Sequence, residues 1–88
     1  MEVLFTKQFA KEIRKVTDKN LAQKIEEAIL SAKNALTYSD ISELKKLKGY
    51  KNAWRIRIGD YRIGLYISGN VIEFVCFMNR KEIYKYFP

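Results

Sequence analysis

The sequence predicts an α+β fold: an N-terminal strand and a two-helix hairpin packed on one face of a mostly antiparallel sheet (β-α-α-β-β-β), with a short C-terminal tail. Three observations predict it. Apolar residues recur at helical spacing through the first third of the chain, they alternate with polar ones from Ala53 onward, and two Gly-containing dipeptides punctuate that alternating part. With 88 residues, the chain reads as a single domain over 1–88.

Each element follows from local pattern. Glu2 to Phe5 reads as an opening strand. Phe9, Ile13 and Val16 lie at helical spacing, and Thr6 stands where an N-cap belongs. Asp18 caps a second helix, in which Leu21, Ile25, Ala28, Ile29 and Ala32 make one apolar stripe. That stripe is core, because the helices have nothing else to bury. Thr37 to Gly49 is a connector whose middle, Ser42 to Lys48, is either a turn of helix or a short edge segment. Ala53 to Ile58, Tyr61 to Ile67 and Val71 to Met78 are strands joined at Gly59-Asp60 and Gly69-Asn70, dipeptides that tolerate the positive φ of two-residue turns. Arg80 to Pro88 is the tail, with room for one helical turn. One helix layer is all this length supplies, so one sheet face stays partly open.

Composition narrows the chemistry. Apolar residues are 48% and charged residues 31%, as in a globular protein. No run approaches the ~18 apolar residues of a membrane span, and Met1 to Phe5 lacks the basic start of a secretory signal. No membrane association and a cytoplasmic location are therefore expected. A single cysteine, Cys76, excludes an internal disulfide framework and a cysteine metal cluster. The absence of histidine excludes every nucleophile–histidine pair. Neither a metal nor a cofactor is expected. Charge gives the positive clue: residues 1–44 carry seven basic and seven acidic side chains, whereas residues 45–88 carry ten and three. The whole excess of +7 thus lies in the second half, which suits a polyanion-facing surface.

Turn placement sorts the strand residues onto faces. With Gly59-Asp60 as the loop, Ile58 pairs with Tyr61, Ile56 with Ile63 and Trp54 with Leu65, all toward the helices. The other face takes Arg57 with Arg62, Arg55 with Gly64, and Ala53 with Tyr66. From the second turn, Ile72, Phe74, Cys76 and Met78 join the core set, and Glu73, Val75 and Phe77 join the arginines. Arginines directly opposite each other repel, and Gly64 leaves space beside Arg55. No acid matches them on that face beyond Glu73. Three guanidinium forks around a gap, with Tyr66 available for stacking, make an anion cradle suited to phosphate. Lys45, Lys46, Lys48 and Lys51 precede it, and Arg80, Lys81 and Lys85 follow it. Together they form the electrostatic funnel of a nucleic-acid binder. Tyr84 near Arg80 is placed to stack on an unpaired base, whereas Phe87 covers the sheet end.

The order strand–two helices–meander, with Leu47-Lys48-Gly49, the run from Trp54 to Ile63, and the closing Asn79-Arg80-Lys81-Glu82-Ile83-Tyr84, resembles the RelE/ParE toxin superfamily of type II toxin–antitoxin modules. The resemblance covers nearly the whole chain. It implies a prokaryotic endoribonuclease that cuts mRNA in the ribosomal A site by metal-independent attack of a 2′-hydroxyl on the adjacent phosphate. It also implies a cognate antitoxin partner. By the same resemblance Arg62 binds the scissile phosphate, Arg80 stabilises the transition state or helps the leaving group, and Tyr84 stacks on a base or takes the attacking proton. Arg55 and Arg57 match strand positions where RelE carries lysines, and Lys46, Lys48, Lys51 and Lys81 complete the RNA-binding set. Arginine does not deprotonate in proteins, so the proton acceptor lies among Tyr84, Lys48 and Glu73. The same fold serves ParE-type toxins directed at DNA gyrase, and a non-catalytic nucleic-acid-binding module is the plain alternative. Retention of Arg62, Arg80 and Tyr84 together favours the RelE side.

Overall fold

The capping residues start the helices where expected. In the computed structural model, which describes residues 1–88, Thr6 Oγ1 accepts from the Phe9 N–H at 3.0 Å and Asp18 Oδ1 from the N–H groups of Asn20 and Leu21. These caps open α1 (Lys7–Arg14) and α2 (Lys19–Asn34). Val16 falls just beyond α1, still packed against the core. The strands are β1 (Glu2–Phe5), β2 (Leu44–Lys46), β3 (Ala53–Ile58), β4 (Tyr61–Ser68) and β5 (Val71–Asn79). A 3-10 turn at Tyr38–Asp40 precedes β2, so the connector resolves to the edge-segment alternative.

The five strands form one sheet in the order β1-β5-β4-β3-β2. Only β1 runs parallel to its neighbour. All six expected pairs of the β3–β4 hairpin occur, Arg57 opposite Arg62 among them. The helices and one sheet face enclose a core in which Phe9, Phe74, Ile56, Ile63, Leu65 and Ile72 are fully buried.

The β4–β5 pairing departs from the expected register halfway along. Leu65 pairs with Phe74 but Gly64 pairs with Cys76, so Val75 is an extra residue at a β-bulge. Every β5 side chain beyond the bulge therefore changes face. Phe77 enters the core and stacks on Tyr61 at 5.1 Å, while Cys76 and Met78 move to the arginine face. The bulge is supported from α1. The Thr6 hydroxyl donates to the Val75 carbonyl, and Glu12 Oε1 accepts from the Phe77 N–H, both at 2.8 Å.

The tail is a helix, α3 (Arg80–Tyr86), capped by Asn79. Ile83 and Phe87 pack with Ala53 and Cys76 in a second small core on the arginine face. That face is thus half covered. The space expected beside Gly64 is filled: a Cβ there would lie 2.8 Å from Cys76 Sγ and from the Phe87 ring. Tyr66 is half-buried and tilts against Phe87 at 5.3 Å instead of standing free for stacking.

Candidate nucleic-acid interface

The hairpin register sets the site. Arg55, Arg57 and Arg62 leave β3 and β4 toward the same face, at the end that α3 leaves open. On the edge, β2 pairs Lys45 with Arg55 and Lys46 with Trp54. The result is an open cleft of about 760 Å³ lined by Lys45, Lys46, Lys48, Arg55, Arg57 and Arg62, with Glu43 as its one acid. Five of the nine residues expected to contact RNA or catalyse its cleavage are brought together there: Lys46, Lys48, Arg55, Arg57 and Arg62.

The other four stand outside that lining. Arg80 begins α3, its N–H donating to the Asp60 carbonyl at 2.8 Å, which ties the helix start to the β3–β4 turn. Tyr84 follows one helical turn later on the same side of α3 and is 80% exposed. Lys81 is exposed on the same helix, and Lys51 is exposed in the loop before β3. Glu73 lies in a separate groove with Leu4, Asn52, Tyr66, Ser68 and Val71, outside the arginine cleft.

Each guanidinium is fixed differently. Arg62 Nη1 donates to the Gly59 and Tyr61 carbonyls, both at 2.8 Å, so the turn orients it while Nε and Nη2 make no bond within the chain. Arg55 Nη2 donates to the Phe87 carbonyl at 3.1 Å. Its Nε is the one buried side-chain polar atom left without a partner, an unmet donor at the edge of the basic cleft. Arg57 does have an acid: Glu43 Oε2 accepts from Nε at 3.0 Å and lies 2.9 Å from Nη2. This corrects the expectation of an unmatched arginine face. The like charges remain felt, since the Arg62 pKa is lowered by burial and then by Arg57, Arg80 and Arg55, a loss that Asp60 partly offsets.

Glu43 was not among the expected site residues. Its signal was present but latent: Leu44 opposite the core residue Ile56 places the preceding residue beside Arg57, once the segment is taken as an edge strand. Glu43 also has φ 61, in the left-handed region where a non-glycine residue costs about 1–2 kcal/mol.

Comparison with known proteins places this geometry in context. A family model described as the ParE toxin of the type II toxin–antitoxin system, parDE, matches residues 3–84. The chain is 40% identical over 89 residues to Toxin RelE3 of Methanocaldococcus jannaschii, covering all of both chains. Among solved structures it is similar to the toxin of the RelB–RelE antitoxin–toxin complex from Methanococcus jannaschii, with 38% identity and a TM-score of 0.79, covering 97% of this chain and 99% of that one. The YoeB dimer from Staphylococcus aureus, at 19% identity and a TM-score of 0.71 over 91% and 97% of the two chains, shares the fold.

Proposed function

The chain belongs to the RelE/ParE toxin superfamily, the toxins of type II toxin–antitoxin systems, and on that premise we propose that it is a ribosome-dependent mRNA endoribonuclease. The observation that carries the proposal is the gathering of Lys46, Lys48, Arg55, Arg57 and Arg62 around one open cleft. A neutral ligand has no need of three guanidinium groups that repel one another. A phosphodiester whose charge grows during reaction does, because fixed cations stabilise the transition state more than the ground state.

The reaction needs little from the protein beyond that charge. The RNA 2′-oxygen forms a bond to the adjacent phosphorus, the bond from phosphorus to the 5′-oxygen breaks, and the products are a 2′,3′-cyclic phosphate and a 5′-hydroxyl. Arg62, oriented by the turn, holds the scissile phosphate through Nε and Nη2. Arg80, beside the same turn, stabilises the departing oxygen. Tyr84, exposed on α3, offers a ring on which a base stacks, and Lys48 adds positive charge near the attacking oxygen, while solvent water in the open cleft takes the 2′-hydroxyl proton and returns one to the departing 5′-oxygen. Arg55 and Arg57 hold flanking phosphates, and Lys51 and Lys81 extend the attraction beyond the cleft. A cognate antitoxin that covers this face is the second partner of the proposal, favoured by the net charge of +7.

Induced expression of the wild-type chain is expected to halt translation and to leave new 5′ ends inside translated codons, read by primer extension. Arg62→Ala and Arg80→Ala should each abolish toxicity while the protein stays folded and still binds its antitoxin. Intact transcripts with DNA-damage signalling would overturn the nuclease proposal in favour of a gyrase-directed toxin.

A further inference from the structure

The basic cleft carries its own anion. Glu43 Oε2 sits at the Nε/Nη2 edge of Arg57, the edge with which a guanidinium grips a phosphate. This placement is held at two points, since the Glu43 carbonyl also accepts the Arg57 N–H at 3.1 Å. The chain keeps a glutamate in a backbone conformation that favours glycine, and that residue's carboxylate lands on the one arginine facing Arg62. Glu43 and Arg57 also line the neighbouring cleft between α2 and β3, so together they form the wall between the two clefts.

We propose that Glu43 is an internal surrogate for phosphate: it occupies the Arg57 fork in the free protein, and an incoming phosphodiester takes its place. The inference rests on the reading of this cleft as a phosphate-binding site. Both side chains are well exposed, 61% for Arg57 and 49% for Glu43, so the pair is weak. It therefore sets a threshold and does not block the site. A single phosphate has to compete with a tethered carboxylate for one fork. A strand that also engages Arg62, Lys46 and Lys48 displaces it readily. Glu43 thereby tunes the cleft toward polyanions and against isolated phosphate groups, and it relieves the repulsion between Arg57 and Arg62 while the cleft awaits a ligand.

Glu43→Gln tests this, because it keeps size and backbone preference and removes only the charge. Inorganic phosphate is titrated into both proteins while the Arg62 Nε–H resonance, which every variant keeps and which lies opposite Arg57, is followed by NMR, and a single-stranded RNA oligonucleotide is titrated by fluorescence anisotropy. The variant should bind phosphate about two- to fivefold more tightly, the range expected for loss of an exposed ion pair. The gain should vanish in an Arg57→Ala background. Unchanged or weaker phosphate binding by Glu43→Gln would overturn the proposal, and so would a gain that survives Arg57→Ala. If phosphate tightens as expected while induced wild-type chain leaves translated mRNA uncut, the surrogate role stands and the ribonuclease reading falls.

Discussion

At the scale of single residues, Gly64 and Cys76 carry the most testable consequences. Gly64 has no side chain because Cys76 Sγ and the Phe87 ring already occupy the position a Cβ would take. Alanine is otherwise the better strand residue, but contacts at 2.8 Å outweigh a propensity gain of a few tenths of a kcal/mol. Gly64→Ala should therefore destabilise the protein by about 1–3 kcal/mol, as overpacking does, read as a lower urea midpoint. Cys76 beside it has its thiol pKa pushed up to about 11, first by burial and then by the Glu12 carboxylate. The unfolded thiol ionises nearer its ordinary value of 9.0. The folded protein thus holds its proton longer, and this contribution to stability is complete below pH 9 and is lost as pH rises toward about 11. Unfolding curves should show an alkaline loss over that window which Cys76→Ala lacks, and the folded thiol should resist alkylation at pH 8.

At the scale of elements, the bulge in β5 shows what alternation can and cannot tell. The β3–β4 hairpin was fully legible, since Gly59-Asp60 fixed its loop and with it which residues face the core. Beyond Phe74 the alternation Phe74-Cys76-Met78 was self-consistent and wrong, because Phe77 is a better core residue than either Cys76 or Met78. The bulge that seats it depends on partners in another element, the Thr6 hydroxyl and the Glu12 carboxylate, which no local pattern reveals. A glycine inside a strand was the one available sign. Because Glu12 is the only acceptor for the Phe77 N–H, Glu12→Ala should cost about 1.5–3 kcal/mol, the range for a bond to a charged group. Glu12→Gln keeps an acceptor oxygen and should lose visibly less. Equal denaturation midpoints for the two variants would remove the bulge support from the account.

At the scale of the whole molecule, charge segregation in the sequence became a basic cleft because the edge strand β2 and the β3–β4 hairpin converge at one end of the sheet. The arginine pairing was readable from turn position alone. The half-covered face was not, since it depends on Ile83 and Phe87 finding Ala53 and Cys76 across a long separation in sequence. That covering also decides how many cations reach an RNA strand. Lys48 and Arg62 are open to it, Lys46 joins once it gives up the Tyr50 carbonyl and Arg57 once it gives up Glu43, while Arg55, its Nε buried, is partly committed to the Phe87 carbonyl and Lys51 stands apart. Four phosphate contacts on a single strand correspond to a slope of about −3 for log affinity against log salt concentration. Arg62→Ala should reduce that slope by about 0.7, the contribution of one phosphate. Lys24→Ala, on α2 and outside the basic cleft, should leave it within about 0.2. If the lysine outside the cleft moved the slope as much as Arg62, binding would follow net charge alone and the cleft would have no special claim on the RNA backbone.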